Sequence, residues 1–200
     1  APPHRLGNVV VTIRPMTRTT GPLSERSICS SAATPALDVE IRRASADEAD
    51  LVADILTEAS AWADSLGGDR LWQLDELDAH RLTRDIREGL FFLAWCGAEA
   101  AGTVRFQLED PEFWPDDPGT HAAYIHRLAV RRRYAGGAVS GALMAWAVER
   151  AREVGRQALR LDCDANRRSL RAVYERFGFR YHSDRQVGPY LVARYEYPLR

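Results

Sequence analysis

Tyr124–Val154, YIHRLAVRRRYAGGAVSGALMAWAVERAREV, contains the change of hydrophobic period that decides the fold. Tyr124, His126, Leu128 and Val130 alternate with Ile125, Arg127 and Ala129, the pattern of a strand buried on both faces. Arg131–Arg133 interrupt the apolar run, and Gly136-Gly137 supply a turn with no Cβ to clash. From Val139 the period lengthens: Val139, Ala142, Leu143, Trp146, Ala147 and Val154 share one helical face. Small residues leading into a helix leave backbone N–H groups pointing outward, and the helix dipole helps such a terminus hold phosphate oxygens. The stretch therefore reads as strand, turn and helix with a place for a phosphate-bearing cofactor, to which the three arginines add positive charge. No Gly-Lys-Ser/Thr follows the glycines, which excludes a Walker loop, and the dinucleotide spacing G-x-G-x-x-G is absent. An ordinary strand–turn–helix connection with solvated arginines is the competing reading.

The composition sets broad limits. The chain has 200 residues, 46% of them hydrophobic and 28% charged, which suits one globular domain with an ample core. A net charge of −1 offers no electrostatic footprint for nucleic acid. Cys29, Cys96 and Cys163 lie far apart without a CxxC spacing, so neither a zinc site nor a disulfide framework is expected, and no metal is assigned. A reducing, cytoplasmic setting is the default for such cysteine usage. No apolar run approaches the ~20 residues of a membrane span.

Residues 1–37 differ from the rest, with Pro2, Pro3, Pro15, Pro22 and Pro35 among Ser, Thr and Arg. Val9–Ile13 has the makings of one short strand, but nothing periodic continues it, and a disordered extension without chemistry is expected. The domain is expected to span 38–200. Val39 and Ile41 open a first strand, and Ser45 precedes Glu48 by the capping-box spacing. Leu51 to Leu66 follow at helical period up to Gly67-Gly68, and a second helix is expected over Asp75–Glu88. Phe91–Cys96 and Ala100–Leu108 read as a hairpin. Glu109–Pro118 is a loop by its prolines, rich in carboxylates and containing Phe113 and Trp114. Ala158–Asp162 is a buried strand, and Asp164 or Asn166 can cap a helix whose face is Leu170, Val173, Tyr174 and Phe177. Phe179–Val187 and Tyr190–Tyr197 close the chain as an antiparallel pair. The order β-α-α-β-β-β-α-β-α-β-β calls for a mixed sheet covered on both faces.

The central stretch resembles the acetyl-coenzyme A binding segment of the GCN5-related N-acetyltransferases (GNAT). Leu128-Ala129-Val130 match that family's strand end, and Ala135-Gly136-Gly137-Ala138-Val139-Ser140 stand where it carries Gln/Arg-x-x-Gly-x-Gly/Ala. Ala135 replaces the usual Arg or Gln, Ala138 the Gly, and Ser140 the Gly or Ala. Tyr174-Glu175-Arg176-Phe177-Gly178-Phe179 is the second anchor, and the likeness extends over roughly the last four-fifths of the chain. The resemblance implies a GNAT-like α/β fold, a mostly antiparallel twisted sheet flanked by about four helices. It implies acetyl-CoA as cofactor, its phosphates held by the turn and its pantetheine arm along Leu128 to Val130. Arg131 and Arg133 would replace the missing long side chain at Ala135. Asn166 corresponds less closely to the family's asparagine, standing one residue further from Tyr174.

Acetyl transfer to an amine needs a base for the ammonium, donors for the tetrahedral oxyanion and an acid for the departing thiolate. By the resemblance Tyr174 is the acid; packing against Leu170 and Phe177 is its competing role. Tyr124 occupies the family's glutamate position but is a poor base at neutral pH. His126, two residues on and thus on the same strand face, has a suitable unperturbed pKa of ~6.5. A water relayed to Glu109 or Asp110 competes with it. On the acceptor side stand Trp72, between the first helices, and Trp114, Asp116 and Asp117, in an acidic loop suited to a cation. The leading expectation is an N-acetyltransferase acting on a small cationic amine. A protein or aminoacyl-RNA acceptor is the alternative within the fold, and a non-catalytic acyl-CoA sensor the alternative from another class. No nucleic-acid or membrane partner is expected, and the oligomeric state is left open, a homodimer included.

Overall fold

The computed structural model describes residues 9–13, 37–65, 72, 76–117, 119–136 and 138–199. Eight strands form one sheet in the spatial order β1 (Val9–Ile13), β2 (Leu37–Arg43), β3 (Phe91–Cys96), β4 (Glu99–Gln107), β5 (Ala122–Val130), β6 (Ala158–Asp164), β8 (Tyr190–Pro198), β7 (Arg180–Val187). Among these pairings only β5–β6 is parallel, because helix α3 (Ala138–Glu153) carries the chain back across the sheet between them. Helix α4 (Arg168–Phe177) packs on the same face as α3, around Leu143, Trp146, Leu159 and Tyr174. Helices α1 (Ala49–Ser65) and α2 (Ala79–Arg87) cover the other face, around Val52, Ile55, Leu82 and Ile86. Strand β3 shows why both layers hold: Phe92 and Ala94 enter the α3 core, while Phe91 and Leu93 enter the α1 core. Replacing one of these buried aliphatics, such as Leu143, by Ala costs ~2–5 kcal/mol. The mixed, mostly antiparallel sheet with four helices is the expected architecture.

Local chemistry sets several boundaries differently from the expectation. Val9–Ile13 pairs antiparallel with β2 and so belongs to the sheet edge, although it lies in the segment expected to be disordered. Helix α2 begins at Ala79, not Asp75, because the Asp78 carboxylate caps it by accepting from the His80 N–H at 2.9 Å. Neither Asp164 nor Asn166 caps α4: Asp164 accepts from the Asn166 N–H at 2.9 Å, and Arg167 takes the cap position. Glu48 does reach back to the Ser45 N–H, at 2.8 Å, as its spacing predicts. Gly178 ends α4 in the left-handed region, φ 118°, a conformation that a side chain resists. Among the described residues no helix is long and apolar enough to cross a membrane.

The alternation expected along β5 breaks at Arg127. Thr103 pairs with Ala129 and Arg105 with His126, so β5 carries one residue more than β4 over this interval. Arg127 absorbs it with φ 52°, the one non-glycine residue at positive φ among those described. Before the bulge Ala123 and Ile125 face α3 and Ala122 and Tyr124 face away; beyond it Leu128 and Val130 pack on the α3 side and Ala129 on the α1 side. One extra residue thus reverses which side chains meet which helix.

Candidate active site

Strands β5 and β6 pair in register from Ala122↔Ala158 to Ile125↔Leu161 and then separate. A cavity of about 1080 Å³ begins there. Its walls come from β5 and β6, the acidic loop, Trp72 and α2, Tyr174 on α4, and the β7–β8 turn. His126 and Asp162, the first residues past the paired segment, lie abreast at its floor. The His126 Nδ1 is 3.2 Å from Asp162 Oδ1, and its Nε2 is 2.9 Å from Asp110 Oδ2. Asp162 Oδ1 makes no hydrogen bond of good geometry despite that distance, so the ring is aligned on Asp110 and only close to Asp162.

The electrostatics follow from burial. Asp110 is 5% exposed, Asp162 12% and His126 14%. Burial lifts the Asp162 carboxyl to about 6, reinforced by Asp110 and Glu112 and opposed by His126 and Arg127. Burial by itself pulls the His126 imidazole down, but the carboxylates of Asp162 and Asp110 outweigh it and the net displacement is upward. Because His126 and Asp162 perturb one another, the two take up and release protons as a coupled pair. The ligand atoms of Asp110, His126 and Asp162 also lie within 4.8 Å of one another, close enough for a cation.

Tyr174 lines the cavity from α4 and is 5% exposed; its ring packs edge-on to Phe179 with centroids 6.1 Å apart. Burial drives its phenol well above the ordinary value, which keeps the proton on oxygen. The neighbouring Cys163 thiol is pushed up to about 12, burial again being the leading cause.

The other expected site residues fall into three groups. Trp72, Leu128 and Asn166 line the cavity. Ala129, Val130, Arg131, Arg133, Ala135, Gly136, Ala138, Val139 and Ser140 run from the end of β5 through the turn into α3, outside the cavity wall. Gly137 lies outside the described residues. Gly136 has φ 123°, which only glycine adopts without strain, and Val139 is fully buried against the sheet. Arg131 Nη1 donates to Glu58 at 2.6 Å and Arg133 pairs with Glu99. Glu58 also takes the Arg132 N–H at 2.8 Å.

Tyr124, Trp114, Asp116 and Asp117 are a correction, for none of them lines the cavity. Tyr124 is 1% exposed under Trp114, its hydroxyl directed at Asp117 and Arg160 without hydrogen-bond geometry to either. Trp114 is 1% exposed, with Arg160 and Arg194 guanidinium carbons 4.5 and 4.6 Å from its ring centroid. Asp117 pairs with Arg160, and Asp116 with Arg194 at 2.8 Å. The acids facing the cavity are instead Glu109, Asp110 and Glu112 from the same loop, joined by Glu76, Asp85, Asp162 and Asp164. Asp162 was not a sequence candidate; it stood at the end of an apolar strand, and only its register with β5 marks it.

Residues 53–179 match the Acetyltransferase (GNAT) family. The chain is 28% identical over 154 residues to the uncharacterized N-acetyltransferase YesJ of Bacillus subtilis, covering 74% of this chain and 85% of that one. Its fold is shared with the PaiA N-acetyltransferase of Thermoplasma acidophilum in complex with coenzyme A, at TM-score 0.64, 16% identity and coverage of 80% and 99%. It is shared also with YncA of Salmonella typhimurium with its cofactor acetyl-CoA, at TM-score 0.62, 14% identity and coverage of 81% and 94%. The chain belongs to the GNAT family. It is an acetyltransferase, and acetyl-CoA is its acetyl donor.

Proposed function

We propose that this acetyltransferase acetylates the primary amine of a small molecule, with Asp110–His126–Asp162 as the proton acceptor and Tyr174 as the proton donor. The observation that carries this reading is the trio at the floor of a cavity that Tyr174 also lines. An amine enters as an ammonium, drawn by Glu109 and Glu112, which are exposed on the wall and form no ion pair with described residues. Its proton passes to the trio, whose Asp162 carboxyl near 6 is mostly ionised at neutral pH. The free amine then adds to the thioester carbonyl of acetyl-CoA. Backbone N–H groups at the β5 bulge, next to Leu128, are the donors for the oxyanion. As the tetrahedral centre collapses, the C–S bond breaks and Tyr174 protonates the sulfur.

A phenol is a weak acid for this purpose in water. A thiolate released beside Cys163 meets the same burial that raises that thiol to about 12, and burial raises the Tyr174 phenol as well, so the phenol still carries its proton when a strongly basic thiolate forms next to it. Thiol release from acetyl-CoA over an amine panel tests the reading. Tyr174→Phe keeps the packing and should lower kcat by ~10²–10⁴ with little change in cofactor affinity. A kcat within a factor of about two of the parent, with chemistry limiting, would leave Tyr174 a packing residue.

A further inference from the structure

Arg127 is the cavity group to which acetyl transfer gives no role. Four other enclosed arginines are hydrogen-bonded to carboxylates: Arg105 to Asp85 at 2.9 Å, Arg131 to Glu58 at 2.6 Å, Arg160 to Glu196 at 2.9 Å and Arg194 to Asp116 at 2.8 Å. Arg127 differs from these four. Its nearest carboxylate oxygen, on Glu76, is 3.8 Å from Nη2, and Nη1 is buried without a hydrogen-bond partner among the described residues. The side chain is 20% exposed, lines the cavity and lies against the Trp72 ring, 5.4 Å from its centroid. Burial pulls its pKa below the usual arginine value, the mark of a cation short of compensation.

The backbone adds an independent observation. A long side chain held at φ 52° inside a strand is strained, and such strain persists only where the surroundings impose it. Here it holds on the cavity wall, next to His126 on the same strand, a guanidinium with one nitrogen lacking a hydrogen-bond partner among the described residues. A wholly cationic acceptor would find this group repulsive. A molecule with both an ammonium and a carboxylate would satisfy both ends.

We propose that Arg127 binds a carboxylate of the acceptor, so that the substrate is an amino acid, its amine at Asp110–His126–Asp162 and its carboxylate on Arg127. This deepens the amine-acetylation reading and rests on it. The planar guanidinium matches a carboxylate through two parallel N–H donors, and a small swing of the long side chain brings Nη1 to it.

The test is calorimetry on the full chain with coenzyme A present. The titrants are the L-amino acids, β-alanine and γ-aminobutyrate, each compared with its own carboxamide. At least one acid should bind about 10- to 100-fold more tightly than its amide, the worth of a charged hydrogen-bonded pair. Arg127→Gln should bring that ratio to near one, and Arg127→Lys should keep part of it. Equal binding of acid and amide overturns the proposal, as does a ratio that survives in folded Arg127→Gln, or no binding of any acid at roughly 10 mM. If Arg127→Gln does not fold, the acid–amide comparison on the parent decides alone. Thiol release on the same panel separates the two ideas. Acids that bind through Arg127 but release no thiol uphold the carboxylate site and remove the acceptor role.

Discussion

Residues 109–113 and 114–117 form one continuous acidic and aromatic loop in the sequence, yet they have opposite fates. The first half faces the cavity, with Asp110 on His126 and with Glu109 and Glu112 exposed on the wall. The second half is committed within the protein, with Trp114 buried against two guanidinium groups that Asp116 and Asp117 neutralise. Composition does not distinguish the halves. Arg160 on β6 and Arg194 on β8 do, by claiming the second set of acids and the indole face. A carboxylate near a site acts on substrate only if no nearer cation has already taken it.

The comparison makes mutations in the two halves separable, activity on one side and stability on the other. The largest effect is expected at the trio: Asp162→Asn or His126→Gln should lower kcat by ~10²–10⁴ while the thermal midpoint changes little, read by thiol release and melting. The pH profile sharpens this. The parent's kcat/KM should fall as pH drops through about 6, where the Asp162 carboxyl takes up its proton and can no longer receive one from the amine. In Asp162→Asn that limb should move away from 6, because His126 is left to titrate without its partner, while the amine's own ionisation still governs higher pH. Denaturation should show the companion sign. Asp162 is raised from 3.8 to about 6, so its contribution to stability is fully present below 3.8 and lost as pH rises through 6.

Trp114→Ala is next and should behave in the opposite way. It removes a buried indole and uncovers two arginines, at a cost of ~3–5 kcal/mol in denaturant unfolding. Activity per folded molecule should survive; a catalytic loss as large as that of Asp162→Asn would mean that the halves are not independent. Asp117→Asn takes one of two carboxylates from Arg160, which keeps Glu196, and should cost ~1–3 kcal/mol. The smallest effect is expected for Glu109→Gln with Glu112→Gln. KM for the acceptor should rise a few-fold at low ionic strength, the difference fading above roughly 0.15 M salt, because exposed charges are screened. Persistence of the full difference at high salt would point to direct contact instead of steering.

Much of the fold was legible because periodicity is local. The change of period at Val139, the hairpin at Gly97 and the αL glycine after Phe177 each follow from residues within one turn or strand of one another. Tyr174 and His126 were legible as candidates, a motif tyrosine before Gly-Phe and an ionisable residue on a buried strand, and both line the same cavity. What the sequence did not reveal depends on register. Ala122–Ile125 and Ala158–Leu161 are both plainly buried runs, but only their parallel pairing sets His126 beside Asp162. The bulge at Arg127 is equally silent, since one extra residue leaves composition unchanged while reversing the faces of β5. Trp114, Asp116 and Asp117 were misplaced for the same reason: their arginines come from β6 and β8, strands that follow the loop by more than 40 residues. Local spacing determines which elements form and which face of each is apolar. Long-range pairing decides which polar residues meet, and with charges enclosed in a cavity those meetings set both proton affinity and what remains free for a substrate.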